Sequence, residues 1–151
     1  MEPTAGRVLK KMNYNYKTLI SKDFGTVYHL PEKQILICEL NKSYVPIEEF
    51  KEIFSETVPL IKKLSIKKFI FDKQNLRVFH QPSMEWYFVE WKQEIYKLGM
   101  SVHRKILPKN QPAFKLAVEA GHEEIAKKYT DTIIPKLDIK YKESIEKAIE
   151  E

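Results

Sequence analysis

The period of the apolar positions changes several times along the chain, and each change predicts an element. Residues 16–40 are strand-like, with apolar runs at 27–30 and 35–40 on either side of Pro31-Glu32-Lys33-Gln34. A polar turn punctuated by proline between two such runs predicts a β-hairpin. Ile47, Phe50, Ile53, Phe54, Val58, Ile61 and Leu64 then recur at helical spacing, with Pro46 at the start and Glu48 and Glu49 at the positive end of the dipole. Pro59 falls inside that helix and predicts a kink or break near Ser55. The unbroken run Phe69-Ile70-Phe71 within residues 67–71 predicts a central strand covered on both faces. Met84, Phe88, Trp91, Ile95 and Leu98 form a second helical stripe, opened by Pro82-Ser83 and closed by Gly99. Residues 102–107 read as a strand ended by Pro108. A third helix follows Pro112, with Phe114, Val118, Gly121, Ile125 and Tyr129 on one side and Gly121 weakening it locally. Residues 137–141 alternate like an edge strand, and Ser144 caps a short final helix holding Ile145, Ala148 and Ile149.

The order β-β-α-β-α-β-α-β-α predicts an α/β fold: a mainly parallel sheet of four to five strands, entered by a β-hairpin, with helices packed against it. Residues 1–15, with Pro3 and Gly6 and no sustained period, read as a flexible lead-in to a single domain over 16–151. The length of 151 residues suits one domain. No apolar run approaches a bilayer span, and residues 1–12 have no apolar segment of the secretory kind, so the expectation is a soluble, cytoplasmic protein.

Charge alters this picture little. The net charge is +5, yet Lys10/Lys11, Lys62/Lys63, Lys67/Lys68 and Lys127/Lys128 are dispersed among acidic residues, and no RNA-recognition motif, zinc-finger spacing or glycine clamp is present. The reading is against nucleic acid. Cys38, the single cysteine, sits in an apolar run and reads as a small buried hydrophobe. His29, His80, His103 and His122 are scattered, so no metal is expected, and the four glycines form no phosphate loop, so no cofactor is expected either.

One region carries candidate chemistry. At the C-terminal end of the central strand, Asp72, Gln74, Asn75 and Arg77 precede the second helix, where open α/β sheets commonly bind ligands. The same residues also suit the plainer task of satisfying loop and helix-end amides. Ser83 is placed to cap that helix. Trp86 falls off the apolar stripe, on the side of Glu90, and would mark an interface if exposed.

The order of elements resembles the STAS domain of sulphate transporters and anti-sigma-factor antagonists, especially its small stand-alone bacterial relatives. The stretches that carry the resemblance are residues 34–40, residues 67–72 ending in an aspartate, Glu90-Trp91-Lys92, and Asp138-Ile139-Lys140-Tyr141 before a short terminal helix. The resemblance implies a non-enzymatic binding or regulatory module, with a protein partner or a weak homodimer docking on the loop and second helix. It also implies a switch by phosphorylation at the start of that helix, where His80-Gln81-Pro82-Ser83 stands in place of an acidic-hydroxyl pair followed by glycine, leaving Ser83 as the only candidate. The alternative is a carrier of a small apolar or nucleotide ligand in a cavity between helices and sheet.

Overall fold

The computed structural model describes residues 4–129 and 133–151. Among these residues the sheet has six strands in sequential order, β1 (Lys17–Lys22), β2 (Gly25–Leu30), β3 (Ile35–Leu40), β4 (Lys68–Asp72), β5 (Val102–Ile106) and β6 (Asp138–Tyr141). The first three are antiparallel and the last four run parallel. The sheet is thus α/β and entered by a hairpin as predicted, but it is larger than the predicted four to five strands. The additional strand is β1, an exposed edge whose short polar sequence carries little period of its own and which is held by pairing with β2. β4 lies between β3 and β5, the central place predicted for the run Phe69-Ile70-Phe71. No helix among the described residues is long and apolar enough to cross a membrane.

Helices cover both faces. On one, Leu36, Cys38, Phe69 and Phe71 of the sheet meet the large core side chains of α2 (Ile47–Leu64), of the helical run 81–97 and of α5 (Pro112–Lys128). On the other, Ile35, Ile37, Ile70 and Ile106 meet α1 (Thr4–Lys11) and α6 (Ile145–Glu150). Helix α1 corrects the expected flexible lead-in over residues 1–15, of which residues 1–3 lie outside the described residues. Ala5 and Leu9, one turn apart, are fully buried. Glu39, the one charged residue in the buried strand β3, turns its carboxylate to the start of α1 and accepts from the Ala5 N–H at 3.2 and 3.3 Å. A helix of two turns is too short for its period to stand out in sequence, so its cause is tertiary.

Pro59 neither ends nor divides α2. Both Pro59 and Ser55, whose carbonyl loses its partner, are on the solvent side, where water satisfies the free group. The run 81–97 comprises α3 (Gln81–Trp86), a π turn at Tyr87–Trp91 in which the Lys92 N–H donates to the Tyr87 carbonyl five residues back, and α4 (Lys92–Lys97). It ends as predicted at Gly99, whose φ is +92°. The Gly99 N–H donates to the Tyr96 carbonyl and the Met100 N–H to the Ile95 carbonyl, a Schellman closure. Gly121 has a packing reason: a Cβ there would lie 2.7 Å from the Phe79 ring and 2.6 Å from Gln81 Oε1, so α5 approaches the start of α3 closely. Ser144 Oγ accepts from the Lys147 N–H at 3.1 Å, capping α6 as the sequence predicts.

Candidate functional site

The loop after β4 holds itself together. Asp72 is fully buried, and its Oδ1 accepts from the Gln74 N–H and from Gln74 Nε2 at 3.0 and 3.1 Å. Asn75 Nδ2 donates to the Leu40 carbonyl at 3.3 Å, and Arg77 Nη1 donates to the carbonyls of Gln74 and Leu76 at 2.8 and 2.7 Å. Most polar groups of these side chains are taken up locally, while Asp72 Oδ2 is buried without a hydrogen-bond partner among the described residues. Asp72 pairs in register with Glu39, on the face covered by α1. Burial raises both carboxyls, Asp72 to about 6 and Glu39 to about 7, the latter also through the charge of Asp72.

Ser83 does not cap α3. The flanking position is His80, no side chain caps the first amides, and Ser83 sits inside the first turn, where its hydroxyl shares a 2.8 Å hydrogen bond with His80 Nδ1. The cap expected at Ser83 thus falls three residues late, because Pro82 favours the first turn wherever in that turn it falls. Trp86 is half-buried, edge-on to Phe50 at 6.1 Å and with Lys51 Nζ 5.9 Å from its ring, so it packs against α2 where the interface reading needs it exposed.

The face covered by α2, α3 to α4 and α5 contains an arrangement of another kind. Lys73, Lys92 and Lys105 are 2%, 0% and 0% exposed. Lys105, in the inward row of β5 with His103, places Nζ 4.1 Å from the Phe88 ring centre and 5.1 Å from that of Tyr87. Lys92 Nζ lies 4.7 Å from Tyr87 and 5.2 Å from Phe88, and Lys73 Nζ lies 4.8 Å over Phe71. The π turn belongs to this geometry, since Tyr87, Phe88, Trp91 and Lys92 flank or form it and all are buried. Among the described residues, neither Lys92 Nζ, Lys105 Nζ nor the Tyr87 hydroxyl has a hydrogen-bond partner, and no carboxylate pairs with the three lysines.

Aromatic faces compensate a buried ammonium only in part. Burial therefore lowers all three amines: Lys73 to about 7, Lys92 and Lys105 well below the usual lysine range, with Lys73 adding like-charge repulsion to both. Burial and the same lysines push His122 down to about 3. The Tyr87 hydroxyl is driven up, mainly by burial. The result is a set of amines whose neutral form is favoured by their surroundings.

Lys73 is the member that reaches a cavity. A pocket of about 40 Å³ lies beside the C-terminal ends of β3 and β4, with Phe50, Phe71 and Met84 among its apolar walls and Lys73, Tyr87, His80 and Ser83 as its polar-atom-bearing ones. Tyr87 is the shared wall, with the pocket on one side and the Lys92 and Lys105 amines near its ring. The predicted location at the end of the central strand thus holds a cavity, but of the predicted residues only Ser83 lines it. Lys73 follows Asp72 directly, and its role is invisible in a sequence where lysine is read as solvated. A signal for the deeper pair does exist: Lys92 stands four residues after Phe88 and three before Ile95 on the apolar stripe, and Lys105 two after His103 within a strand. No family model, no curated protein and no solved structure matches this chain.

Proposed function

We propose that the chain is a non-enzymatic, STAS-like binding module whose ligand is a small molecule with an apolar body and a hydrogen-bond-accepting end, carboxylate or carbonyl, received by Lys73. The observation that carries this reading is Lys73, a residue 2% exposed whose amine makes no hydrogen bond or ion pair with a described residue and which lines an apolar pocket. A buried amine without an acceptor is costly, and an acceptor brought by a ligand offsets that cost. The position, beyond the carboxyl ends of parallel strands, is where open α/β sheets bind. The other reading is a protein partner or homodimer docked on the second helix, where Trp86 packs edge-on to Phe50 and stays partly exposed.

Isothermal titration calorimetry with hexanoate and with hexanal tests this. The expected result is binding of at least one of them to the native protein, weakened about tenfold or more by Lys73→Met, which removes the donor and keeps the volume. No binding of either compound, or equal binding to both proteins, contradicts the proposal.

A further inference from the structure

We infer that Lys73 is a nucleophilic amine and that the ligand class of its pocket is an aldehyde, held as a Schiff base. The inference rests on the reading of this pocket as a ligand site and goes further by assigning the bond.

Three features of the geometry converge. Lys73 Nζ lies 4.8 Å over the Phe71 ring, and among the described residues no carboxylate holds a proton on it. Lys92 and Lys105, behind Tyr87, place two more amines in the same dry region, and a charge on Lys73 opposes charge on both. A lysine desolvated in an apolar pocket is a setting in which its amine acts as a nucleophile. The third feature is size. The cavity of about 40 Å³ admits a group of a few atoms such as a formyl, with the remainder of the molecule directed out along the exposed Val78. The burial that lowers Lys73 to about 7 leaves a substantial fraction of neutral amine at neutral pH.

The step needs no oxidant or reductant. The Nζ lone pair attacks the carbonyl carbon and forms the C–N bond, while the carbonyl π electrons move to oxygen. A proton passes from nitrogen to that oxygen, and the resulting carbinolamine loses hydroxide with a second proton as water. Amine and aldehyde become imine and one water. The His80 and Ser83 pair lines the same pocket and offers a hydroxyl and an imidazole to hold the departing water.

The test is reductive trapping on the full chain at pH 7, with limiting hexanal and cyanoborohydride, followed by peptide mapping. The expected result is a reduced hexyl adduct on Lys73 at least tenfold above that on exposed lysines such as Lys62, Lys63 or Lys127, with the preferential adduct lost in Lys73→Met. The map of the native protein alone decides the matter if that variant fails to fold. Adducts spread over the exposed lysines, or an unmodified Lys73, overturn the inference. Hexanal that binds in calorimetry yet leaves Lys73 unmodified overturns the covalent step and retains the pocket, whereas hexanal and hexanoate that neither bind nor react overturn both.

Discussion

Raising the pH from 7 to 9 is expected to stabilise the protein, by about 2 kcal/mol from Lys73 alone, or roughly 5 °C in melting temperature, with Lys92 and Lys105 acting in the same direction. The sign follows from proton counting. Lys73 titrates at about 7 in the folded protein and at the ordinary lysine value, 10.5, in the unfolded chain. Between those values the unfolded chain binds more protons, so stability rises with pH. The opposing groups are spent in this window. Glu39 and Asp72, raised to about 7 and about 6, contribute stability that is present below their unfolded values and lost as the pH climbs through their folded ones, a loss nearly complete by pH 7. His103 and His122 are lowered, mainly by burial, and are largely neutral in both states above pH 7. The rise is reduced from about pH 8 by Cys38 and from about pH 9 by the buried tyrosines Tyr28 and Tyr87, whose folded values burial raises and which ionise there in the unfolded chain alone. Lys105→Met is expected to add on the order of 3 kcal/mol at pH 7 and to flatten the rise, since it removes a buried amine without a partner and fills the same space. Urea denaturation at the two pH values checks both, and stability that is flat or falling from pH 7 to 9 contradicts the account.

Trp91→Ala is expected to cost about 4 kcal/mol, among the largest losses available to a single substitution in this core. Trp91 is 1% exposed and stands where the helical run meets both sheet and α2. Its ring lies 4.7 Å from Phe69, 5.0 Å from Phe54 and 5.0 Å from Tyr87, the last stacked at 12°. Its Nε1 donates to the Phe54 carbonyl at 2.9 Å and to Thr57 Oγ1 at 3.0 Å, tying the π turn to α2. Alanine leaves a cavity and removes the tie together. Trp91→Phe keeps most of the volume and loses only the donor, so a smaller loss of about 2 kcal/mol is expected. Because Tyr87 stacks on Trp91 and walls the pocket, the alanine variant is also expected to lose ligand binding. Equilibrium urea unfolding with circular dichroism measures the stability differences, and equal losses for alanine and phenylalanine count against the packing argument.

How far the fold was legible depended on whether a local signal had a local cause. The runs at 35–40 and 69–71, the stripe from Phe50 to Ile61 and the glycine at 99 were readable, because apolar period and a left-handed C-terminal residue act over a few neighbours. Helix α1 and strand β1 were not readable. Ala5 and Leu9 gain their helical state from the sheet face and α6, and β1 takes its register from β2. The site shows the same division. The order of elements pointed to the end of the central strand, where a cavity lies, while the inward turn of Lys73, Lys92 and Lys105 was not part of that expectation. Lys92 follows the π turn, so its setting among Tyr87, Phe88 and Trp91 needs the helix geometry as well as the spacing. Asp72, Gln74, Asn75 and Arg77 are polar residues at the end of β4 and in the loop after it, and their hydrogen bonds, to one another and to the Leu40 carbonyl, are a result of folding that spacing alone leaves open.

Binding at this pocket depends on Lys73 being a poorly solvated amine with no partner among the described residues. Titration of its side chain by heteronuclear NMR, with the Lys73 signal assigned through Lys73→Arg, tests this most directly. The expected midpoint is about 7, far below that of the surface lysines, with an upward shift when a carboxylate such as hexanoate occupies the pocket. A Lys73 signal that titrates with the exposed lysines, at about 10.5, contradicts it.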